Sequence, residues 1–373
     1  MKRVVVVGGG ILGTMHALFA LKEGFEVIHL ERDKEARSAS VRNFGLIWVS
    51  GRRSGAELEL ALRARALWQE IGEASKIGFR PNGSLTIARN EAELDVMEQA
   101  VSMNDSRERG FAIHSRSEIQ DYEPSLQGKF AGGLRCSYDA IVEPNLLFPG
   151  LRNYMQSFDN YKFVTEEEII DFDYGSSSAH VYAANGTEYS ADHAIFCPGA
   201  SINGFLLDFI ENEPIRNVRL QMAATSPLSI DLRHSIADAD SLRYYPAFSE
   251  LDLAGLGEQS EIAASYRMQL LLAPRLDGSM TIGDTHEYVE PFSHELIETP
   301  YEHLTSVIES FLGSIIHIDR RWEGMYTEMT NGGICLRKEF APNCYLVTGG
   351  GGRGNTLAPA IAEESIALWQ IQI

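Results

Sequence analysis

KRVVVVGGGILGTMHALFALKEGFEVIHLERD, residues 2–33, decides the reading of this chain. Residues 4–7 are consecutive valines, a β-branched run that reads as a strand buried on both faces. Gly8, Gly10 and Gly13 follow as G-x-G-x-x-G. In that pattern the first glycine permits a tight turn, the second lets a pyrophosphate approach the backbone, and the third lets the helix pack closely on the strand. The helix predicted from about Ile11 and Leu12 to Glu23 offers unpaired N–H groups and a positive dipole end to phosphates. Gly24 fits a C-cap. The next run, EVIHL, leads to Glu31, close to the roughly 20-residue spacing at which such folds place a ribose-binding carboxylate. The plain alternative is a structural turn in an unliganded α/β domain. The strand before, the helix after and the acid at the next strand's end favour a bound dinucleotide. Glu31, rather than an arginine, argues against a 2′-phosphate and leaves FAD and NAD both open.

Working outward, residues 343–369, NCYLVTGGGGRGNTLAPAIAEESIALW, repeat the order strand, glycine loop, helix. Thr356 is predicted to cap that helix, with Pro359 in its first turn. Residues 56–78 are predicted helical, because Leu60, Ala64, Leu67 and Ile71 recur at helical spacing. Further helices are expected after Asn90, before Pro124 and from Pro144. Asn185-Gly186 and Asp277-Gly278 are two-residue hairpin signals. Residues 215–325 read as long antiparallel strands, unlike the α/β ends. The fold class expected is therefore α/β: a discontinuous Rossmann-like nucleotide domain interrupted by an α+β substrate domain with a large, mostly antiparallel sheet. The boundaries expected are 1–78, 140–215 and 322–373 for the nucleotide domain, and 79–139 and 216–321 for the substrate domain.

The chain's 373 residues suffice for about two cored domains. Its net charge of −20 disfavours nucleic acid, which requires a positive surface. An anionic substrate must then meet a local cluster of arginines. Cys136, Cys197, Cys335 and Cys344 show no metal spacing and read as reduced, mostly buried thiols of a cytoplasmic protein. The ten histidines are scattered, so no metal is expected. No run approaches the roughly 18 apolar residues of a membrane span.

Several motifs in order carry a family likeness: the N-terminal glycines with Glu31, SVRNFG (40–45), ADHAIFCPGA (191–200), LDGSMTIGDTHEY (276–288), WEGMYTEMT (322–330) and YLVTGGGGRGNTLAPAIAE (345–363). Over essentially its whole length the chain resembles the D-amino-acid oxidase-like FAD oxidoreductases, which include glycine oxidase and sarcosine oxidase. The resemblance implies that the nucleotide is FAD. Gly8, Gly10 and Gly13 would hold its pyrophosphate, Glu31 its ribose, and Arg32 would flank the adenine. Ser40, Arg42, Asn43 and Gly45 would line phosphates and flavin. Val164 or a neighbour would offer the adenine backbone contacts, and Gly199 would approach the cofactor. Gly352, Arg353, Gly354, Asn355 and Thr356 would lie at the flavin ring and ribityl chain. Gly324 stands where sarcosine oxidase-like members carry the cysteine that bonds to flavin, so the FAD would be noncovalent.

For the substrate, Tyr326 replaces the carboxylate-binding arginine of glycine oxidase-like members, and Thr356 the carboxylate-binding lysine of sarcosine oxidase-like members. SLRYYPAF with LDGSMTIGDTHEY resembles a subgroup associated with organophosphonate breakdown. Arg243, Tyr244 and Tyr245 fall where this fold puts its substrate wall. His286 could face the pocket, and Gln221 and Met222 occupy a strand that borders the flavin in this family. Arg267, Arg275 and Arg337 are further candidate anion ligands. The resemblance implies oxidation of a small anionic primary or secondary amine, an aminoalkylphosphonate favoured and an amino acid allowed, with O2 or another acceptor taking the electrons. The flavin would perform the chemistry, and the sequence singles out no catalytic acid or base. A 2-hydroxy-acid dehydrogenase and a non-catalytic FAD-binding assembly protein are the alternatives.

Overall fold

The computed structural model describes residues 1–202 and 204–371. Strand Arg3–Val7, helix Ile11–Lys22 and strand Glu26–Leu30 form in the expected order. They sit in a six-stranded sheet that runs Leu336–Ala341, Cys344–Thr348, His193–Phe196, Arg3–Val7, Glu26–Leu30 and Tyr161–Val164. Its first pair is antiparallel and the other four are parallel. Helix Ile11–Lys22 packs on the last helix, Gly354–Ile371, which packs in turn on helix Ala56–Ala74. Met15, Leu18, Trp68, Leu357 and Ile361 meet in their shared core. On the other face a three-stranded sheet, Ile169–Tyr174, Ala179–Ala183 and Glu188–Ala191, packs Phe172 against Phe196 and Phe340.

The second sheet has eight strands: Ile318–Met329, Ile215–Thr225, Met280–Gly283, Leu271–Pro274, Ser235–Asp238, Ser84–Ala88, Gly132–Cys136 and Phe111–Ser115. Only Ser84–Ala88 with Ser235–Asp238 is parallel; the other pairs are antiparallel. Ile318–Met329 crosses the expected 321/322 boundary, because it pairs along its whole length with Ile215–Thr225.

Two expectations need correction. Residues 215–325 are not all strand. SLRYYPAF falls in two short 3-10 turns, Ala239–Arg243 and Pro246–Phe248, and Glu298–Leu312 is an α-helix. The helix signal was present in the sequence: Tyr301, Leu304, Ile308 and Phe311 recur at helical spacing and all are buried. Pro300 in the first turn needs no N–H partner, and Gly313 ends the helix at φ +69°. Thr356 is likewise not a cap. The last helix already begins at Gly354, after a 3-10 turn over Gly351–Arg353.

The loop after strand Leu46–Ile47 is held by two buried ions. The Asp139 carboxylate accepts from Val49 N (2.6 Å), Ser50 N (2.9 Å), Ser50 Oγ (2.7 Å) and Ser84 Oγ (2.5 Å). The Arg109 guanidinium donates to the carbonyls of Ser50 (3.0 Å) and Arg52 (2.7 Å), and pairs with Asp105 at 2.8 Å. Both side chains are fully buried. Removing such an ion strands its partners in low dielectric. Asp139→Ala should therefore lower the unfolding free energy by roughly 2–5 kcal/mol. The exposed control Glu59→Ala should stay within about 0.5 kcal/mol. Urea titration of both variants checks this, and equal midpoints would refute the clamp.

Candidate active site

A cavity of about 830 Å³ opens at the carboxyl ends of the parallel strands, where Val7, Leu30, Phe196 and Thr348 line it. That edge is where open α/β sheets take their ligands. The same cavity reaches the large sheet through Leu220, Met222, Leu271 and Asp284. Its volume lies toward the top of the roughly 300–1,000 Å³ usual for cofactor and ligand sites.

At the nucleotide end, Gly8, Gly10, Ile11 and Leu12 line the cavity with Glu31 and Arg32. Gly8 has φ +114°, and a Cβ there would meet the Cys197 carbonyl. Gly13 lies beneath the motif rather than in the cavity, since a Cβ on it would strike the Gly8 carbonyl. Its part is packing. No side chain caps the helix at Gly10, although Ser40 Oγ accepts from Ile11 N at 3.0 Å. Glu31 accepts from Gly9 N at 2.6 Å and Asp33 N at 2.9 Å, which fixes its carboxylate at the rim of the turn. Arg32 reaches Ser201 Oγ at 3.0 Å.

Arg42, Asn43 and Gly199 also line the cavity, as do Gly352, Arg353, Gly354, Asn355 and Thr356. Arg42 donates to the Glu323 carbonyl at 3.1 Å. Asn43 holds its own turn, accepting from Gly45 N at 2.6 Å. Gly45 itself is off the cavity, packed under the Val142 carbonyl at φ +69°. Val164 is also off it; its carbonyl accepts from Glu31 N at 2.9 Å. Thr356 Oγ1 accepts from Trp48 N at 2.9 Å and so ties the C-terminal loop to residues 46–48. Gly324 lines the cavity, and among the described residues the one cysteine that does so is Cys197, at the glycine turn.

At the other end Tyr244, Tyr245, His286 and Tyr326 converge, as placed from sequence. A Cβ on Gly352 would stand 3.5 Å from the Tyr326 hydroxyl and 3.7 Å from that of Tyr244. Burial pushes both phenols up. Two residues expected here are turned away. Arg243 binds Asp240 at 2.6 Å and the Gly257 carbonyl at 2.6 Å. Gln221 points to the opposite face of its strand and accepts from Ile297 N at 2.6 Å, while its neighbours Leu220 and Met222 face the cavity. Strand alternation makes that choice. Arg267, Arg275 and Arg337 do not line it either. Arg275 donates to Thr281 Oγ1 and the Asn43 carbonyl, and Arg337 pairs with Glu364 at 3.0 Å.

Sequence reading missed two ionisable groups. Arg52, 6% exposed, lines the cavity beneath the Tyr245 ring, its guanidinium carbon 5.9 Å from the centroid. Its Nε has no hydrogen-bond partner among the described residues. Its nearest acid, Glu57, is 3.8 Å away and is shared with Arg353 at 3.0 Å. Burial lowers the Arg52 pKa, partly opposed by Glu57. The second is Asp284, also 6% exposed, with a cavity-lining carboxyl that burial holds well above the usual carboxylate range. Arg52 sits in GRRSGAE, which offered a basic pair but no periodicity to aim it. Asp284 lay inside GDTHEY, where the histidine drew the attention. Among the described residues no group of three or more His, Cys, Asp or Glu could hold a metal, and no helix is long and apolar enough to cross a membrane.

The fold is similar to that of glycine oxidase from Bacillus cereus ATCC 14579, with TM-score 0.80 and 17% identity over 100% of this chain and 96% of that one. It is equally similar to L-proline dehydrogenase from P.horikoshii, with TM-score 0.80 and 16% identity over 100% and 94%. In sequence, the chain is 29% identical to an opine oxidase subunit of Rhizobium meliloti over 166 residues, 41% of this chain and 44% of that protein. It is 21% identical to the D-amino acid dehydrogenase of Helicobacter pylori over 252 residues, 54% and 60%. The matched stretches thus span less than two thirds of those relatives' own length. The family model described as "DAO: FAD dependent oxidoreductase" covers residues 3–368. The two-sheet architecture, the glycine turn over a cavity at the strand ends and this match belong together: the chain is a member of the DAO family of FAD-dependent oxidoreductases.

Proposed function

We propose that this chain oxidises the C–N bond of a small primary or secondary amine that also carries an anion, with an aminoalkylphosphonate favoured over an amino acid. The observation that carries the reading is Arg52: a buried guanidinium in the cavity wall with an unpartnered donor, in a protein of net charge −20. A phosphonate presents three oxygens and accepts several converging donors. Arg52 and the hydroxyls of Tyr244, Tyr245 and Tyr326 supply such a set. The Thr356 hydroxyl accepts from Trp48 N and donates to the Leu46 carbonyl, so it offers the anion little.

The cavity fits FAD in its donor set and in its shape. A side chain on Gly10 would crowd the Ser40 hydroxyl at 3.1 Å, so the open approach to the turn depends on glycine there. Backbone N–H groups of residues 10–12 would hold the pyrophosphate, and Glu31 the ribose hydroxyls. Ser40, Arg42, Asn43, Gly199 and the loop Gly352, Arg353, Gly354, Asn355 would enclose the rest. FAD supplies the two-electron chemistry when bound. The chain's own work is to orient the amine, to bind its anion and to keep water out of a cavity walled by Leu220, Met222 and Leu271. With Gly324 in the wall, attachment is noncovalent. A cytoplasmic setting fits the free thiols, three of the four being buried.

Acid precipitation should leave FAD in the supernatant; colour retained in the pellet would defeat noncovalent attachment. Glu31→Ala should weaken FAD retention by the roughly 1.5–3 kcal/mol of charge-assisted bonds, read by fluorescence titration of the stripped protein. Unchanged affinity would overturn the ribose assignment.

Anaerobic mixing of the oxidised holoenzyme with 2-aminoethylphosphonate, its N-methyl form, glycine, sarcosine, D-alanine and lactate tests the substrate. One of the two phosphonates should bleach the flavin fastest. Faster bleaching by glycine, sarcosine or D-alanine moves the reading to amino acids, by lactate to hydroxy acids, and by none to a non-catalytic role. Arg52→Met should lower kcat/KM for the best amine about 10–100-fold, from the loss of one charge-assisted contact, mainly through KM.

A further inference from the structure

The cavity holds a second unsatisfied group. Asp284 Oδ1 is buried and has no hydrogen-bond partner among the described residues. Oδ2 lies 3.9 Å from His286 Nε2, too far for a hydrogen bond. The backbone is fixed: Asp284 N donates to the Gln269 carbonyl at 2.6 Å, and Gln269 N to the Asp284 carbonyl at 2.9 Å.

His286 supplies no cation. Its Nδ1 is 2.9 Å from the Arg267 carbonyl, and a carbonyl only accepts, so Nδ1 carries the hydrogen. Burial lowers its pKa to about 4, so at neutral pH the ring is uncharged and Nε2 keeps a lone pair aimed toward Asp284. The neutral ring therefore brings no charge to the carboxyl. The other titratable groups around the carboxyl are phenols, Tyr244 and Tyr245 from the 3-10 segment, Tyr288 beside His286 and Tyr326 from the long strand. Burial raises each of them, and the Asp284 charge raises them further. Tyr244 and Tyr245 interact with Arg52 as well as with Asp284.

A buried carboxyl without a partner is costly, and a cation arriving from the cavity would offset that cost. We propose that Asp284 receives the substrate nitrogen and is its proton acceptor: R–NH3⁺ and Asp284–COO⁻ become R–NH2 and Asp284–COOH, and the amine is presented as the free base. The inference rests on the amine reading above. The proton matters because an ammonium has no lone pair with which to stabilise the electron-poor carbon formed on oxidation. Burial makes Asp284 a stronger base than an exposed aspartate, the direction that a proton acceptor requires. Arg52 at one end and Asp284 at the other then read the two ends of one small substrate.

The test is the pH profile of anaerobic flavin reduction in wild type, D284N and D284E holoenzyme, with the fastest-bleaching amine of the panel. Wild type should stay active toward neutral pH. D284N should depend on free amine in solution, losing on the order of 100-fold near pH 7.5 and recovering as pH approaches the amine pKa of about 10. D284E should restore much of the neutral-pH activity. Binding gives a readout independent of turnover. By thermal shift near pH 8, the oxidised wild type should prefer 2-aminoethylphosphonate to propylphosphonate, in which a methyl group replaces the ammonium, and D284N should lose that preference while still binding propylphosphonate. If an amine bleaches the wild type and the D284N profile runs parallel to it, the proposal is overturned and the amine reading stands. A wild type without preference between the two phosphonates overturns it even if D284N does not fold. If no amine bleaches the wild-type flavin, both readings fall.

Discussion

The loop at residues 48–54 is where nucleotide domain and substrate sheet become one site, and two buried ions of opposite sign hold it. Asp139 takes its N–H and hydroxyl groups, and Arg109 takes its carbonyls. Neither ion lines the cavity. Their effect there is indirect: they fix the backbone from which Trp48 and Arg52 project. Trp48 stacks on Tyr245 at 6.0 Å and Arg52 lies under the same ring. Gly51 has no room for a side chain, because a Cβ there would enter the Tyr245 ring. The loop and the tyrosine are therefore placed against each other, and neither position can be set without the other.

The same loop solves an electrostatic difficulty. A chain with 52 acidic and 32 basic residues repels anions at long range. At short range the cavity wall carries two arginines, Arg52 and Arg353, that share the carboxylate of Glu57, and Asp284 and Glu328 also line it. A small anion that reaches the cavity meets donors that water does not screen.

The parts of the fold legible in the sequence were those where one periodicity ran unbroken. The valine run, the glycine turn and the helix at Leu60 through Ile71 each bury a face that the sequence shows at a glance. The glycine positions were legible too, because a turn at φ +114° admits little else. The middle of the chain was harder. Its short strands, 3-10 turns and helices share the same apolar composition, and only tertiary pairing separates them. The site divided in the same way. Backbone-built parts followed from motif spacing, whereas side-chain parts depended on which face of a strand or loop points inward. Gln221 and Arg243 were one rotation away from the cavity; Arg52 was brought in by ions more than fifty residues distant in sequence.

That division has a physical basis. A nucleotide held by N–H groups needs a backbone path, and a path is written locally in glycines and strand ends. A substrate held by side chains needs directions from several elements at once, and this cavity's far end is lined from the loop near Arg52, the turn at Tyr244 and Tyr245, the strand end at Asp284 and the long strand at Tyr326. Each direction is set by packing against residues elsewhere in the fold. The large sheet can therefore exchange what lines its end of the cavity without disturbing the glycine turn. Family membership and cofactor class are thus read early in this chain, and what the enzyme acts on is decided by side chains that no single stretch of sequence brings together.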